Sequence, residues 1–295
     1  MKQTYVDRNF KPAALALIET ANDIIEEYQN EGYVLTVRQL YYQLVARDVI
    51  ANTLQEYKRV AGVFNDARLA GLMDWDAIED RTREFLRRSR WRGGAHALES
   101  IASQFHMDLW DNQSTRPFVI VEKEALVSVF ERVCRRYDVP VLAARGYPSV
   151  SVVREFVVND MLDTLYRGQN ILVLHFGDHD PSGIDMSRDL KDRFNLFLEG
   201  EMGNFDFKRM ALNMEQIDEL RPPENPAKVT DSRFDSYQRI YGSSSWELDA
   251  LPPSYLERLV EDEVNSVIDD DAWATKRDEI DDIQTRIRKA AEGFE

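Results

Sequence analysis

LVLHFGDHDPSG, residues 172–183, decides the fold. Its leading apolar run, rich in branched and aromatic residues and closed by a glycine, predicts a buried strand over 170–176. Asp178 and Asp180 follow, and Pro181 stands where the first position of a helix tolerates proline best. A helix is therefore expected over 182–198. Upstream, FVIVEKEAL (118–126) predicts a strand over 117–121 and a helix over 125–136. Further strands are expected over 139–143 and 207–212, and a helix over 150–166. Strand and helix in alternation mean an α/β unit: a parallel sheet with helices on both faces.

In open parallel sheets the ligand site lies beyond the carboxyl ends of the strands. Glu122 follows the first strand at once; Asp178 and Asp180 follow the third after one glycine. Carboxylates at i and i+2 of an extended chain point to one side, and Glu122 can converge on them from a neighbouring strand. Three hard oxygen ligands without cysteine suit one or two Mg²⁺ ions bound together with a substrate phosphate. Asp180 also reads as the N-cap of the helix opened by Pro181. At the same end of the sheet, RGYPS (145–149) reads either as a tight turn with Ser149 capping the next helix or as a place where Arg145 meets phosphate. His175 is expected to point into the sheet, and His179 is a candidate substrate contact.

The N-terminal part reads differently. Leu15, Leu17, Ile18, Ala21, Ile24 and Ile25 recur at mainly helical spacing over 13–28. A second helix is expected from Thr36, as N-cap, to about Arg47. Its apolar stripe is Val37, Leu40, Tyr41, Leu44 and Val45. Thr53 caps a third helix that runs up to Gly71, from which Lys58, Arg59 and Arg68 would project. Next comes RTREFLRRSRWRGG (81–94), with Arg81, Arg83, Arg87, Arg88, Arg90 and Arg92 around Phe85 and Trp91. Helix, turn, helix and a basic extended stretch is the order of a winged helix-turn-helix that lays its wing on a duplex. The alternative is a solvated basic face paired with the acidic half. The domains expected are 1–112, winged helix, and 113–295, the α/β unit with acidic C-terminal helices capping it or joining a second copy.

Periodicity separates two adjacent tyrosines. Tyr41 belongs to the apolar stripe, whereas Tyr42 is turned about 100° away and lies one turn from Arg38. Tyr42 is thus the expected free hydroxyl, with the Arg38 guanidinium placed to stabilise its phenolate.

The 295 residues carry a net charge of -16, and 43% are apolar, the composition of a folded protein. Phosphate should be repelled by such a charge, but its distribution is uneven. Residues 1–115 hold 14 Lys and Arg against 17 Asp and Glu; residues 116–295 hold 23 against 36. Cys134, the single cysteine, excludes a disulfide framework and a zinc finger and fits a reducing cytoplasm. No apolar run approaches the ~20 residues of a membrane span.

Together, EKEAL (122–126), RGYPS (145–149) and GDHDPSG (177–183) resemble the glutamate, glycine-tyrosine-proline and Asp-x-Asp motifs of a Toprim domain. The version they resemble is that of the A subunit of type IIB topoisomerases (topoisomerase VI) and of the related meiotic double-strand-break transesterases. VRQLYY (37–42) is similar to the winged-helix segment where an arginine precedes the catalytic tyrosine by four residues. PPENPAKVTDSR (222–233) and WELDALPP (246–253) also look like family segments, read as structural.

The resemblance implies that Tyr42 attacks a DNA phosphodiester to give a 5′-phosphotyrosyl link. It assigns Mg²⁺ to Glu122, Asp178 and Asp180, and implies a homodimer that breaks both strands of a duplex. His179 and Ser182 depart from the family pattern, which often has a small residue and a tyrosine there. No G-x-x-x-x-G-K-[ST] loop is present, so strand passage would need a separate ATPase subunit. The chain most resembles the compact stand-alone relatives of prokaryotes and their mobile elements. A water-using Toprim nuclease and a non-catalytic DNA-binding module are the alternatives.

Overall fold

The computed structural model describes residues 2–79, 90–199 and 203–294. Three helices make the first lobe: α1 (Pro12–Asn30), α2 (Val37–Ala46) and α3 (Leu54–Leu69). Ile24, Leu40, Leu44, Val60 and Phe64 meet in its core. A capping box starts α2: Gln39 N donates to Thr36 Oγ1 (3.2 Å), and Thr36 N donates to Gln39 Oε1 (2.8 Å). Thr53 caps α3 by accepting from Glu56 N. Each such cap is worth about 1 kcal/mol. A short parallel pair, β1 (Leu35–Thr36) with β2 (Ile78–Glu79), ties the start of α2 to the chain beyond α3. Arg81, Arg83, Arg87 and Arg88 of the expected wing lie outside the described residues. Arg90 and Arg92 are exposed just before α4 (Gly94–Gln104).

The second lobe holds a four-stranded, wholly parallel sheet in the order β4 (Val141–Ala143), β3 (Thr115–Val121), β5 (Asn170–Phe176), β6 (Phe205–Ala211). Alternate residues of the two central strands enter different cores. Val119, Val121, Leu172 and Leu174 pack towards α5 (Val127–Arg136) and α11 (Pro253–Asn265). Phe118, Ile120, Ile171 and Val173 pack towards α6 (Val150–Phe156) and α8 (Pro181–Phe197). Burial on both faces is why these strands read as unbroken apolar runs. Each such side chain contributes about 1.5–3 kcal/mol of transfer free energy. The helix expected over 150–166 is one path, interrupted by a π turn at Val157–Met161 before α7 (Leu162–Tyr166).

Beyond β6 come α9 (Met214–Leu220) and a small antiparallel pair, β7 (Glu224–Pro226) with β8 (Ser244–Trp246), enclosing α10 (Phe234–Tyr241). The last helix, α12 (Asp270–Ala291), lies along α4; Gln284 Nε2 donates to Phe105 O, and Trp110 meets Trp273 edge-on at 5.2 Å. The segment 94–112, counted with the first domain from sequence, thus packs on the second lobe. Among the described residues no helix is long and apolar enough to cross a membrane.

Among the described residues, two sets of contacts join the lobes. Arg132 of α5 lies over the Tyr33 ring, 3.9 Å from its centroid, and both reach Glu257 of α11. At the other, α2 meets the turn Leu248–Ala250, and Asn52 Nδ2 donates to Glu224 O (3.0 Å) and Asn225 Oδ1 (2.8 Å).

Candidate functional site

The register of the sheet builds the site. Val121 pairs with Phe176, so Glu122 and Gly177 emerge abreast at the carboxyl ends of β3 and β5. Asp178 N then donates to Glu122 Oε2 at 2.9 Å, which pins the acidic turn to the neighbouring strand. From beneath, the partly buried Arg209 of β6 donates to the carbonyls of Gly177 (3.1 Å), Asp178 (2.6 Å) and Gly183 (3.1 Å). A guanidinium offers enough donors to satisfy a turn's carbonyls at once. Two glycines leave room for this packing. A Cβ on Gly177 would stand 2.8 Å from Glu122 Oε2, and one on Gly183 only 2.2 Å from Asp178 O.

Asp180 takes the role its neighbour Pro181 announces. Its Oδ1 accepts from Gly183 N (2.6 Å) and Ser182 Oγ (2.8 Å), capping α8. Asp178 instead faces the segment 246–250. Its Oδ1 accepts from Leu248 N at 2.7 Å, and Lys123 Nζ lies 3.0 Å from the same oxygen.

Among the described residues, the acids whose ligand atoms come within 4.8 Å of one another are Asp178, Glu247 and Asp249. Glu122 and Asp180, expected to share an ion with Asp178, stand outside that group. Glu247 and Asp249 were missed because WELDALPP was read as structural. Their signature matches that of Asp178 and Asp180: carboxylates at i and i+2 directly after a short strand, β8. The Lys123 ammonium sits among the three, 2.5 Å from Glu247 Oε2 and 2.9 Å from Asp249 Oδ1. Arg38 closes the network from the first lobe, with Nη2 2.6 Å from Glu247 Oε2 and Nε 3.1 Å from Asp249 Oδ2.

The electrostatics follow. Burial, with Glu122, Asp249 and Glu247 adding to it against Lys123, pushes the Asp178 carboxyl up from 3.8 to about 7. Glu122 is also raised, by burial first and by Asp180. For Lys123 burial favours loss of the proton, but Asp249, Asp178 and Glu247 outweigh it and hold the ammonium charged. Were all five carboxylates (Glu122, Asp178, Asp180, Glu247, Asp249) ionised, they would exceed the three cations (Arg38, Lys123, Arg209) by two negative charges, and the raised Asp178 and Glu122 hold back part of that excess as bound protons. That excess, on oxygen ligands alone, fits one divalent hard cation.

Tyr42 is not the free hydroxyl its helix face suggested. Only 4% of it is exposed; its ring packs with Tyr41 and Ala250. The face shared with Arg38 meets the carboxylates of the other lobe, while the Arg38 side chain itself stays partly in water. Arg38 Cζ lies 5.9 Å from the Tyr42 centroid. Burial, then Glu247 and Asp249, push the phenol up to about 12 against the opposing pull of Arg38. Tyr41 points its hydroxyl at Asn52 Oδ1 and Thr53 O.

A cavity of about 430 Å³ opens at the junction of the lobes, lined by Arg38, Lys123, Asp178, Asp180, Glu247 and residues of the segment 225–246 that include Lys228. A larger one, about 980 Å³ between α4, α5 and α12, is remote from this chemistry. Of the other expected DNA contacts, Arg59 pairs with Glu56 and Arg145 with Glu124, while Lys58 is exposed on α3. His175 is fully buried in the sheet, as its alternation implied. His179 is no substrate contact: buried between Tyr237, Tyr241 and Trp246, it bonds Tyr237 Oη through Nδ1 and bridges the backbone of Trp246.

No family model, no curated protein and no solved structure matches this chain.

Proposed function

We propose that this protein cuts DNA by transesterification, with Tyr42 as nucleophile and a divalent cation bound at the carboxyl ends of β3 and β5. The observation that carries the reading is the junction cavity. In it Arg38, one helical turn from Tyr42, faces Asp178, Asp180 and Glu247. The resemblance of EKEAL, GDHDPSG and VRQLYY to a type IIB topoisomerase A subunit supplies the reaction. Asp178, Glu247 and Asp249, with Asp180 and Glu122 beside them, are the residues that would hold the ion. When bound, the ion supplies charge neutralisation at the phosphodiester and at the leaving oxygen.

The chain's own groups do the rest. Tyr42 Oη forms the new bond to phosphorus as the bond from phosphorus to the 3′ oxygen breaks. The phenol loses its proton, and the 3′ oxygen leaves as a hydroxyl. A phenol held up at about 12 keeps its proton at neutral pH. With Tyr42 only 4% exposed, its packing against Ala250 must open before attack. Arg38 is then the cation nearest the forming phenolate.

Trapping tests this. The chain is mixed with supercoiled DNA and Mg²⁺ or Mn²⁺, denatured, and the protein-linked ends are mapped. A 5′ adduct that disappears in Tyr42→Phe supports the reading; undiminished cutting by Tyr42→Phe refutes it. Hydrolysis by water is the second reading, favoured by one fact: Tyr42 does not line the cavity.

A further inference from the structure

The cavity has cations of two kinds. Arg38 and Lys123 are already neutralised by Glu247, Asp249 and Asp178. Lys228, at the rim, has no carboxylate within ion-pair distance among the described residues and is exposed. Its position is nevertheless fixed. Ala227 is buried against Phe234 and Tyr237 and donates its N–H to Ser243 O, while Lys228 O accepts from Asp231 N at 3.0 Å. The next residue, Val229, is 73% exposed, so the turn presents a charge and an apolar side chain together.

Asn225 adds a second, independent observation. It lines the same cavity, its Oδ1 is taken by Asn52 Nδ2, and its own Nδ2, buried in the resting side-chain position, has no hydrogen-bond partner among the described residues. A buried donor left unpaired costs about 1–3 kcal/mol in general terms, so an acceptor from outside the chain is the natural complement.

We propose that Asn225 and Lys228 form a grip for one phosphate ester of a nucleic-acid strand, Lys228 meeting its charge and Asn225 Nδ2 donating to an oxygen. The grip deepens, and rests on, the DNA-cleaving reading above. At about 430 Å³ the cavity takes one phosphate with its flanking sugar, leaving the duplex outside. Asn52, which holds Asn225 from the first lobe, is a positioning residue: the grip is complete only when the lobes are docked.

Fluorescence anisotropy of a labelled DNA duplex, and of its single strand, in Ca²⁺ over a series of salt concentrations tests this. Lys228→Ala should weaken binding roughly tenfold at low salt and lower the slope of log affinity against log salt by about one. Asn225→Ala and Asn52→Ala should weaken binding several-fold with the slope kept. Unfolding midpoints equal to the parent's show that the exposed Lys228 is not structural.

Parental affinity and slope in Lys228→Ala overturn the grip even where Tyr42 adducts form. Loss of the adduct reading, with the Lys228 and Asn225 effects intact, leaves the grip standing. A parent chain that binds neither DNA probe overturns both.

Discussion

Arg38, on a helix of the first lobe, donates from Nη2 to Glu247 Oε2 of the second at 2.6 Å, and its Nε reaches Asp249, whose side chain is wholly inaccessible. The polar stripe of α2 is thus an internal seam. One ion-pair network spans Arg38, Glu247, Asp249, Lys123 and Asp178, so the acidic site and the docking of the lobes are one structure.

Arg38→Ala should loosen that seam. Removing one partner from a buried pair costs about 3–5 kcal/mol, but Arg38 is 44% exposed and Lys123 still neutralises Asp249. A loss of about 1–2 kcal/mol is expected, read as a lower urea midpoint. Arg38→Lys should recover only part of it, since an ammonium cannot span Glu247 and Asp249 as the guanidinium does. An unchanged midpoint in Arg38→Ala would mean the seam is held by packing alone.

Two alanine substitutions should behave oppositely despite their shared turn. Gly183→Ala drives a Cβ to 2.2 Å from the Asp178 carbonyl oxygen, so backbone must move. The ~1 kcal/mol that alanine ordinarily adds to a helix is overwhelmed, and a loss of about 2 kcal/mol or more is expected. Gly177→Ala meets the end of the Glu122 side chain, which can swing away. It should fold nearly as the parent does, yet lose cation-induced thermal stabilisation because Glu122 no longer holds the turn. Paired melting curves with and without Mn²⁺ decide.

Much of the second lobe was legible because its strands and helices follow local pattern. The strand expected over 170–176 is β5 to the residue, and Thr36, Thr53 and Ser149 cap the helices they were expected to cap. What covers a helix face was not legible. Period 3.6 groups Arg38 with Tyr42, but it cannot say that residues some 200 positions later would pair with the one and bury the other. The acids failed for a related reason. Strand-end position identifies Glu122, Asp178 and Asp180 as neighbours, while hydrogen bonds decide their use. Glu122 is taken by a backbone N–H and Asp180 by a helix N-terminus, leaving Asp178 to face Glu247 and Asp249.

The pH response should separate Asp178 from the histidines. With its folded pKa near 7 and its ordinary value 3.8, Asp178 holds its proton more tightly in the folded state. It therefore lowers stability progressively as pH rises from about 4 to 7. His175 and His179 act the other way: burial depresses them to about 3 and about 4, so their stability is present above pH 6.5 and lost as pH falls. Two histidines should dominate the whole profile. Asp178→Asn is then predicted to gain stability relative to the parent across pH 4–7 without metal, and to lose the parent's stabilisation by Mg²⁺ or Mn²⁺. Thermal melts of both proteins in chelator and in cation, at several pH values, measure the difference; parallel curves would show that Asp178 does not titrate with folding.

Tyr42 must be tested in a way that separates its ring from its oxygen. The ring packs with Tyr41 and Ala250, with Tyr41 at 5.3 Å between centroids. Tyr42→Ala should cost about 3 kcal/mol through the cavity it leaves. Tyr42→Phe keeps the ring. It should stay within about 1 kcal/mol of the parent, the net worth of a single neutral hydrogen bond. Activity should not follow stability: both variants should lose the protein-linked DNA end. A stable Tyr42→Phe that no longer captures DNA assigns the loss to the missing oxygen. A Tyr42→Phe that unfolds as readily as Tyr42→Ala would instead make the hydroxyl a structural group of the seam.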